Sequence, residues 1–75
     1  MSMNLCWNYK RSFDEFWFQT PTDLTFDVLD ASTNEKRWEL IHNYMVESKW
    51  DEVDIQSVKD HFDSKLEDGW TLTYI

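Results

Sequence analysis

Apolar and polar side chains alternate at both ends of the chain. Over residues 3–9 the odd-numbered positions are apolar, and this period of two predicts a strand. At the other end Trp70, Leu72 and Tyr74 alternate with β-branched residues, and this aromatic and β-branched content predicts a strand over residues 70–75. Both terminal strands can then pair in one sheet.

The segment after the first strand fits two patterns. Ser12 followed by Glu15 is the spacing of a capping box, which is typical of a helix start. Phe16 and Phe18, however, alternate with polar residues and Trp17, which favours a strand. We expect residues 12–19 to form a strand that makes a hairpin with the first.

A helix start follows at Thr20-Pro21. Thr20 is expected to cap the helix, Pro21 suits the first helical position because its missing N–H is not needed there, and Asp23 meets the positive end of the helix dipole. Leu24 and Val28 then share a helical face. Because apolar residues also alternate in this stretch, a strand remains the alternative.

Two longer helices are predicted in the second half of the chain. A second capping box begins at Ser32 and predicts a helix over residues 33–48 with a wide apolar stripe. Asp54 is expected to cap a helix that continues to residue 67. Gly69 follows at the position where helices commonly end in the left-handed conformation.

These elements predict a single α+β domain that spans residues 1–75. Its small antiparallel sheet contains both terminal strands, and two or three helices cover one face. A 75-residue chain buries a modest core, and the five Trp, five Phe and three Tyr supply the large side chains that such a core needs.

The charge of the chain is strongly negative. Fifteen Asp and Glu stand against seven Lys and Arg, which gives a net charge of −8. Such a charge repels nucleic acid and anionic lipid and favours a basic partner. Cys6 is the single cysteine and cannot form an internal disulfide, and the N-terminus lacks the features of a signal peptide. We therefore expect a cytoplasmic protein.

The sequence contains no catalytic constellation, so we expect neither an enzyme nor a cofactor. Cys6 has no basic or histidine neighbour that would lower its pKa. Glu39 and His42 have the Glu-x-x-His spacing of carboxylate metal sites, but the second copy that such a site needs is missing. We expect no metal and no direct nucleic-acid binding. A small enzyme that uses Glu39 and His42 is the weakest alternative.

Acidic residues recur at the spacing of helix faces. We predict one acidic row in each helix. The first helix carries Asp23, Asp27 and Asp30, the second Glu35 and Glu39, and the third Asp60, Asp63 and Glu67. Carboxylates in such a row lie at a spacing similar to that of phosphates along a nucleic-acid strand. The charged outer faces of ordinary amphipathic helices produce the same spacing, so a merely solvated face is the alternative.

In composition and size alone, the chain resembles the small acidic DNA-mimic inhibitors that viruses and mobile elements use against host nucleases and regulators. The sequence thus favours a module that binds a basic protein or nucleoprotein complex and inhibits it. Trp17 and Trp50 are further candidates for this contact, because tryptophan is a favoured interface anchor. The alternative is an accessory interaction subunit in which exposed aromatics bind and the charge serves only solubility.

Overall fold

The computed structural model describes residues 3–75 and has three strands and three helices in this part of the chain. In chain order the elements are β1 (Leu5–Tyr9), β2 (Ser12–Glu15), α1 (Thr22–Asp30), α2 (Asn34–Glu47), α3 (Glu52–Glu67) and β3 (Thr71–Tyr74). The strands form one antiparallel sheet in the order β2-β1-β3. This arrangement confirms the predicted α+β class and the pairing of the first and last strands.

The central strand β1 is held on both sides. A two-residue turn joins it to β2, with Lys10 in the left-handed conformation at φ 55°. On the other side β1 pairs with β3, and the pairing continues to Asn4 and Ile75, which exchange two backbone hydrogen bonds of 3.1 and 3.0 Å. Because side chains alternate along a strand, Leu5 and Trp7 face the helices while Cys6 lies on the opposite face.

The core between the sheet and the helices is aromatic. Trp7 is fully buried, and its ring centroid lies 5.7 Å from that of Phe62 in α3 and 6.0 Å from that of Phe16. The remaining buried hydrophobic side chains of this cluster are Leu5, Val28, Ile41, Met45 and Val58. All three helices therefore contribute to one core on the Trp7 face of the sheet.

The strand predicted for residues 12–19 is only half as long as expected. β2 ends at Glu15, after which Phe16 is buried in the core and Phe18 stacks on Tyr44 at a centroid distance of 5.6 Å. Both aromatic rings are thus drawn towards the helices. Because both rings pack there, the chain leaves the sheet before the alternating pattern of the sequence ends.

Each helix starts at a residue other than the predicted cap. Pro21 occupies the cap position of α1, and the oxygen of Thr33, not that of Ser32, accepts from the Lys36 N–H of α2 at 3.1 Å. In α3 the cap position is Asp51 and not Asp54, which lies in the first turn. Ser32 and Asp54 were plausible caps because both have suitable side chains and spacing.

Thr20 does not cap α1 because its hydroxyl has another role. Thr20 Oγ1 accepts from the Leu5 N–H at 2.9 Å and lies 2.6 Å from Thr25 Oγ1. Thr25 in turn donates to the carbonyl of Met3 at 2.8 Å or to that of Pro21 at 3.0 Å. Both threonines are buried, so this relay satisfies backbone groups at the start of β1 and ties that strand to α1.

Replacing Thr20 by valine should destabilise the protein, because the buried Leu5 N–H would lose its acceptor. We expect a loss of about 1–3 kcal/mol in the free energy of unfolding, measured by urea denaturation. Thr71→Val removes an exposed hydroxyl that donates a long hydrogen bond of 3.3 Å to the Asn8 carbonyl. Because water can replace that exposed bond, the change in stability should be less than about 0.5 kcal/mol. Equal losses in the two variants would show that the relay contributes nothing.

Candidate protein-binding surface

All charged residues on the exposed face of helix α1 are acidic. Asp23, Asp27 and Asp30 are exposed, and Thr22–Asp30 contains no Lys, Arg or His. Phe26 lies among them, three residues after Asp23 and four before Asp30, and its side chain is 43% exposed. Residues at these spacings share one helical face. We call Asp23, Phe26, Asp27 and Asp30 the α1 face.

The same helix is anchored by its opposite side. Thr25 and Val28 are fully buried, and Leu24 and Leu29 pack against the core. Buried and exposed residues therefore recur at helical spacing, so this segment forms the predicted helix and not the alternative strand. Burial of one side fixes the direction in which the three carboxylates point.

The predicted acidic residues of α2 and α3 are also exposed, but two of them have partners. Glu35, Asp60 and Glu67 form no ion pair within residues 3–75. Glu39 pairs with Lys36 at 3.4 Å, and Asp63 pairs with Lys59 at 2.9 Å. These two rows are consequently weaker sources of negative potential than the α1 face.

Two lysines of α3 lie over aromatic rings. Lys59 Nζ lies 5.1 Å from the ring centroid of Trp38, and Lys65 Nζ lies 3.8 Å from that of Trp70. Lys65 also donates to Asp14 of β2 at 2.5 Å. Both cations thus contact the protein itself through cation–π and ionic interactions, and Lys59 also offsets the charge of Asp63.

Arg37 closes the C-terminal end of α1. Its guanidinium donates to the carbonyls of Val28 at 3.2 Å and Ala31 at 2.8 Å, and to the side chain of Asn34 at 2.7 Å. A cation at this end offsets the negative partial charge of the last carbonyls. Arg37 therefore stabilises the α1–α2 corner close to where Asp30 ends the acidic row.

The two candidate tryptophans differ in exposure. Trp17 is 50% exposed and its ring lies 5.4 Å from that of His61. It borders a groove of about 290 Å³ that Ile75 also lines. Trp50 is half-buried, with its ring 4.9 Å from Phe18 and packed against the core. Trp17 is thus available for a partner, whereas Trp50 mainly completes the core.

The side chains considered for catalysis or metal binding are those of Cys6, Glu39 and His42. Cys6 is buried, and burial raises the pKa of its thiol, which opposes thiolate formation. His42 lies beside Trp38 at a centroid distance of 6.0 Å, while Glu39 is exposed with Lys36. Within residues 3–75, His, Cys, Asp and Glu side chains form no group of three that could hold a metal ion.

Phe26 is the residue of this surface that the sequence analysis did not select. Its position between Asp23 and Asp30 at helical spacing was visible, but alternation with Leu24 and Val28 equally suggested a strand. In a strand Phe26 would lie on the same side as those two residues. Only after the helix is established does Phe26 fall among the carboxylates.

Comparisons with known proteins give no indication of what this surface binds. No family model, curated protein or solved structure matches the chain. In the described range 3–75, none of the helices has the length and apolar character required to cross a membrane.

The ion pair between Asp14 and Lys65 should make stability depend on pH. The hydrogen bond from Lys65 lowers the pKa of Asp14 below its ordinary value of 3.8. The stabilisation is therefore present above that value and is lost as pH falls through the lower folded-state pKa. Asp14→Asn should be less stable than the unmodified chain at pH 7, and the difference should shrink as pH falls below 3.8.

Unfolding by urea at several pH values measures this difference. Asp27→Asn is the control, because Asp27 forms no ion pair within residues 3–75. The difference in the free energy of unfolding between Asp27→Asn and the unmodified chain should not show the same dependence on pH. A stability difference for Asp14→Asn that persists unchanged to pH 2 would contradict the assignment.

Proposed function

We propose that this chain binds a basic protein or nucleoprotein complex and blocks its nucleic-acid-binding surface. The observation that supports this most strongly is the α1 face, where three exposed carboxylates surround Phe26 on a helix without a cation. The acidic residues predicted in α2 and α3 are exposed as well. The proposal makes the chain an inhibitor of the DNA-mimic kind that viruses and mobile elements use against host defence.

The spacing of the carboxylates suits a groove built for nucleic acid. Helical neighbours at three or four positions lie roughly 5–6 Å apart between Cβ atoms. Each DNA strand rises by about 3.4 Å per phosphate, and the phosphates on its outside are separated by more than that rise. A lysine or arginine row that binds phosphates can therefore meet Asp23, Asp27 and Asp30 in succession.

A rigid scaffold supports this use of the carboxylates. α1 is fixed by the buried Thr25 relay at its start and by Arg37 at its end. Because the helix is already ordered, its partner would not have to order it on binding, and preorganised contacts lose less free energy. The net charge of −8 would also speed encounter with a basic surface.

Phe26 gives the proposed contact an apolar centre. Aromatic residues in the middle of an interface, surrounded by polar groups that exclude water, commonly supply much of the binding energy. An exposed phenylalanine on the outer face of a short acidic helix has no evident use in the isolated chain. Phe26 would therefore add affinity that charge alone does not provide at physiological salt.

An accessory interaction subunit is the second candidate function. Trp17 supports it, since half of this side chain is exposed beside a groove of about 290 Å³. In that case binding would be dominated by apolar contact, and the charge would maintain solubility. Such an interaction should respond little to salt, whereas binding through the α1 face should weaken steeply as salt rises.

Neutralising the α1 face should weaken partner binding without unfolding the protein. The variant combines Asp23→Asn, Asp27→Asn and Asp30→Asn. Exposed ion pairs contribute about 0.2–1 kcal/mol each, so three should lower affinity roughly 3- to 150-fold and reduce its salt dependence. The control combines Glu47→Gln, Glu52→Gln and Asp68→Asn, which changes the net charge equally at exposed sites outside the rows.

The measurement is capture from a nuclease-treated lysate of the source cells on immobilised chain, at low and high salt. Proteins retained at low salt are challenged with duplex DNA and with duplex RNA. We expect to capture a nucleic-acid-binding protein. Either duplex should displace this protein, the control variant should still bind it, and the α1 variant should not. Retention by both variants, or indifference to both duplexes, would refute the proposal.

Single aromatic substitutions separate the two candidate functions. Phe26→Ala should weaken binding of the captured partner by about tenfold or more if Phe26 is an interface anchor, as measured by calorimetry. Phe13→Ala is the matched control, because Phe13 is 65% exposed on the helix-free face of the sheet. If Trp17→Ala weakens binding and Phe26→Ala does not, the accessory-subunit function is favoured instead.

A further inference from the structure

The two edges of the sheet differ in charge. Edge strand β2 carries Asp14 and Glu15 within four residues, and charged side chains at an edge discourage pairing with another strand. Edge strand β3 lies in the segment 70–75, Trp-Thr-Leu-Thr-Tyr-Ile, which contains no charged side chain and no proline. In a chain with 29% charged residues, β3 is therefore an unprotected edge.

The outer side of β3 has backbone groups available for pairing. Asn4 exchanges both backbone hydrogen bonds with Ile75, so by the alternation of an antiparallel ladder Thr73 also faces β1. The N–H and C=O groups of Leu72 and Tyr74 then point away from the sheet. Within residues 3–75, β1 is the one strand that pairs with β3.

Space for another strand exists beside this edge. A groove of about 370 Å³ adjoins Thr71 and Leu72 and is also lined by Leu29, Asn34 and Arg37 of the helices. Further along β3, Tyr74 and Ile75 are both exposed, at 47% and 64%. An incoming strand would therefore approach an open edge and would cover apolar side chains that now contact solvent.

We propose that β3 pairs antiparallel with β3 of a second copy of this chain, forming a dimer with a continuous six-stranded sheet. A two-fold axis beside Thr73 places Leu72 of each copy opposite Tyr74 of the other, so that their outward backbone groups exchange four hydrogen bonds. Thr73 then faces its own counterpart. The occupant is a second copy because an antiparallel edge without charge is complementary to itself.

Electrostatics distinguishes this contact from the proposed partner-binding surface. Two copies of net charge −8 repel each other at long range, and salt screens that repulsion. Dimerisation through an uncharged edge should therefore strengthen as salt rises, whereas binding of a basic partner should weaken. Because β3 and the α1 face share no residue, either proposal can fail while the other survives.

A disulfide tests the geometry directly. Residues in a non-hydrogen-bonded antiparallel pair have Cα atoms about 4.5 Å apart, which permits a disulfide. Thr73→Cys in a Cys6→Ala background, which removes the neighbouring thiol opposite Thr73, should form a covalent dimer under mild oxidation. Ser12→Cys in the same background places a thiol on the charged edge β2 and should remain monomeric.

Sedimentation velocity tests the dimer without a cross-link. The seam is short, and small interfaces are weak, so we expect a dissociation constant on the order of 10 µM to 1 mM that falls as salt rises. Thr73→Lys brings two lysines together at the axis and should raise this constant roughly fivefold or more. Ser12→Lys should leave it unchanged, and circular dichroism checks the fold of each variant.

Two results would overturn the proposal. One is a chain that stays monomeric at every salt concentration at about 1 mM protein, where even the weakest expected dissociation constant would leave about half of the chains dimeric. The other is a dimer that Thr73→Lys leaves intact in a correctly folded variant, since this would place the contact elsewhere. A covalent dimer formed equally by the Ser12→Cys control would count against the proposed register.

Discussion

Burial of Trp7 in the central strand is the contact on which the fold depends. Its indole packs between Phe16, which ends the hairpin, and Phe62 of α3, so one ring joins the sheet to the longest helix. The indole N–H has no hydrogen-bond partner within residues 3–75. An unpaired buried donor costs about 1–3 kcal/mol, whereas burial of an aromatic of this size removes some 150–250 Å² from water at about 25 cal/mol per Å². The apolar contribution therefore exceeds the polar loss.

An aromatic core of this kind also shapes the distribution of charge. Lys59 and Lys65 lie over tryptophan rings, and Arg37 is bound to backbone carbonyls at the end of α1. Cations thereby take part in holding the helices and the sheet together, while the carboxylates of α1 have no such role. Asp23, Asp27 and Asp30 form no ion pair within residues 3–75.

The sequence predicted the type and order of the elements well, because strict alternation at the termini and wide apolar stripes leave few alternatives. It did not predict the caps, since Ser32 and Thr33 are chemically equivalent candidates and only the backbone geometry selects between them. The end of β2 at Glu15 depended on the packing of Phe16 against Trp7 in the core and of Phe18 against Tyr44, which lies far along the chain. Likewise Phe26 could be placed among carboxylates only once burial of Thr25 and Val28 had fixed the helix.

The two proposed surfaces can coexist because different parts of the fold control them. The α1 face is set by a helix whose inner side is buried, and a change at the sheet edge leaves that burial intact. Edge strand β3, in turn, is held by its ladder with β1, which uses its inward backbone groups and leaves the outward ones free. A dimer through β3 would present two α1 faces on one rigid particle. Two such faces could engage a partner with repeated basic sites more tightly than one, since the second contact would form at high effective concentration.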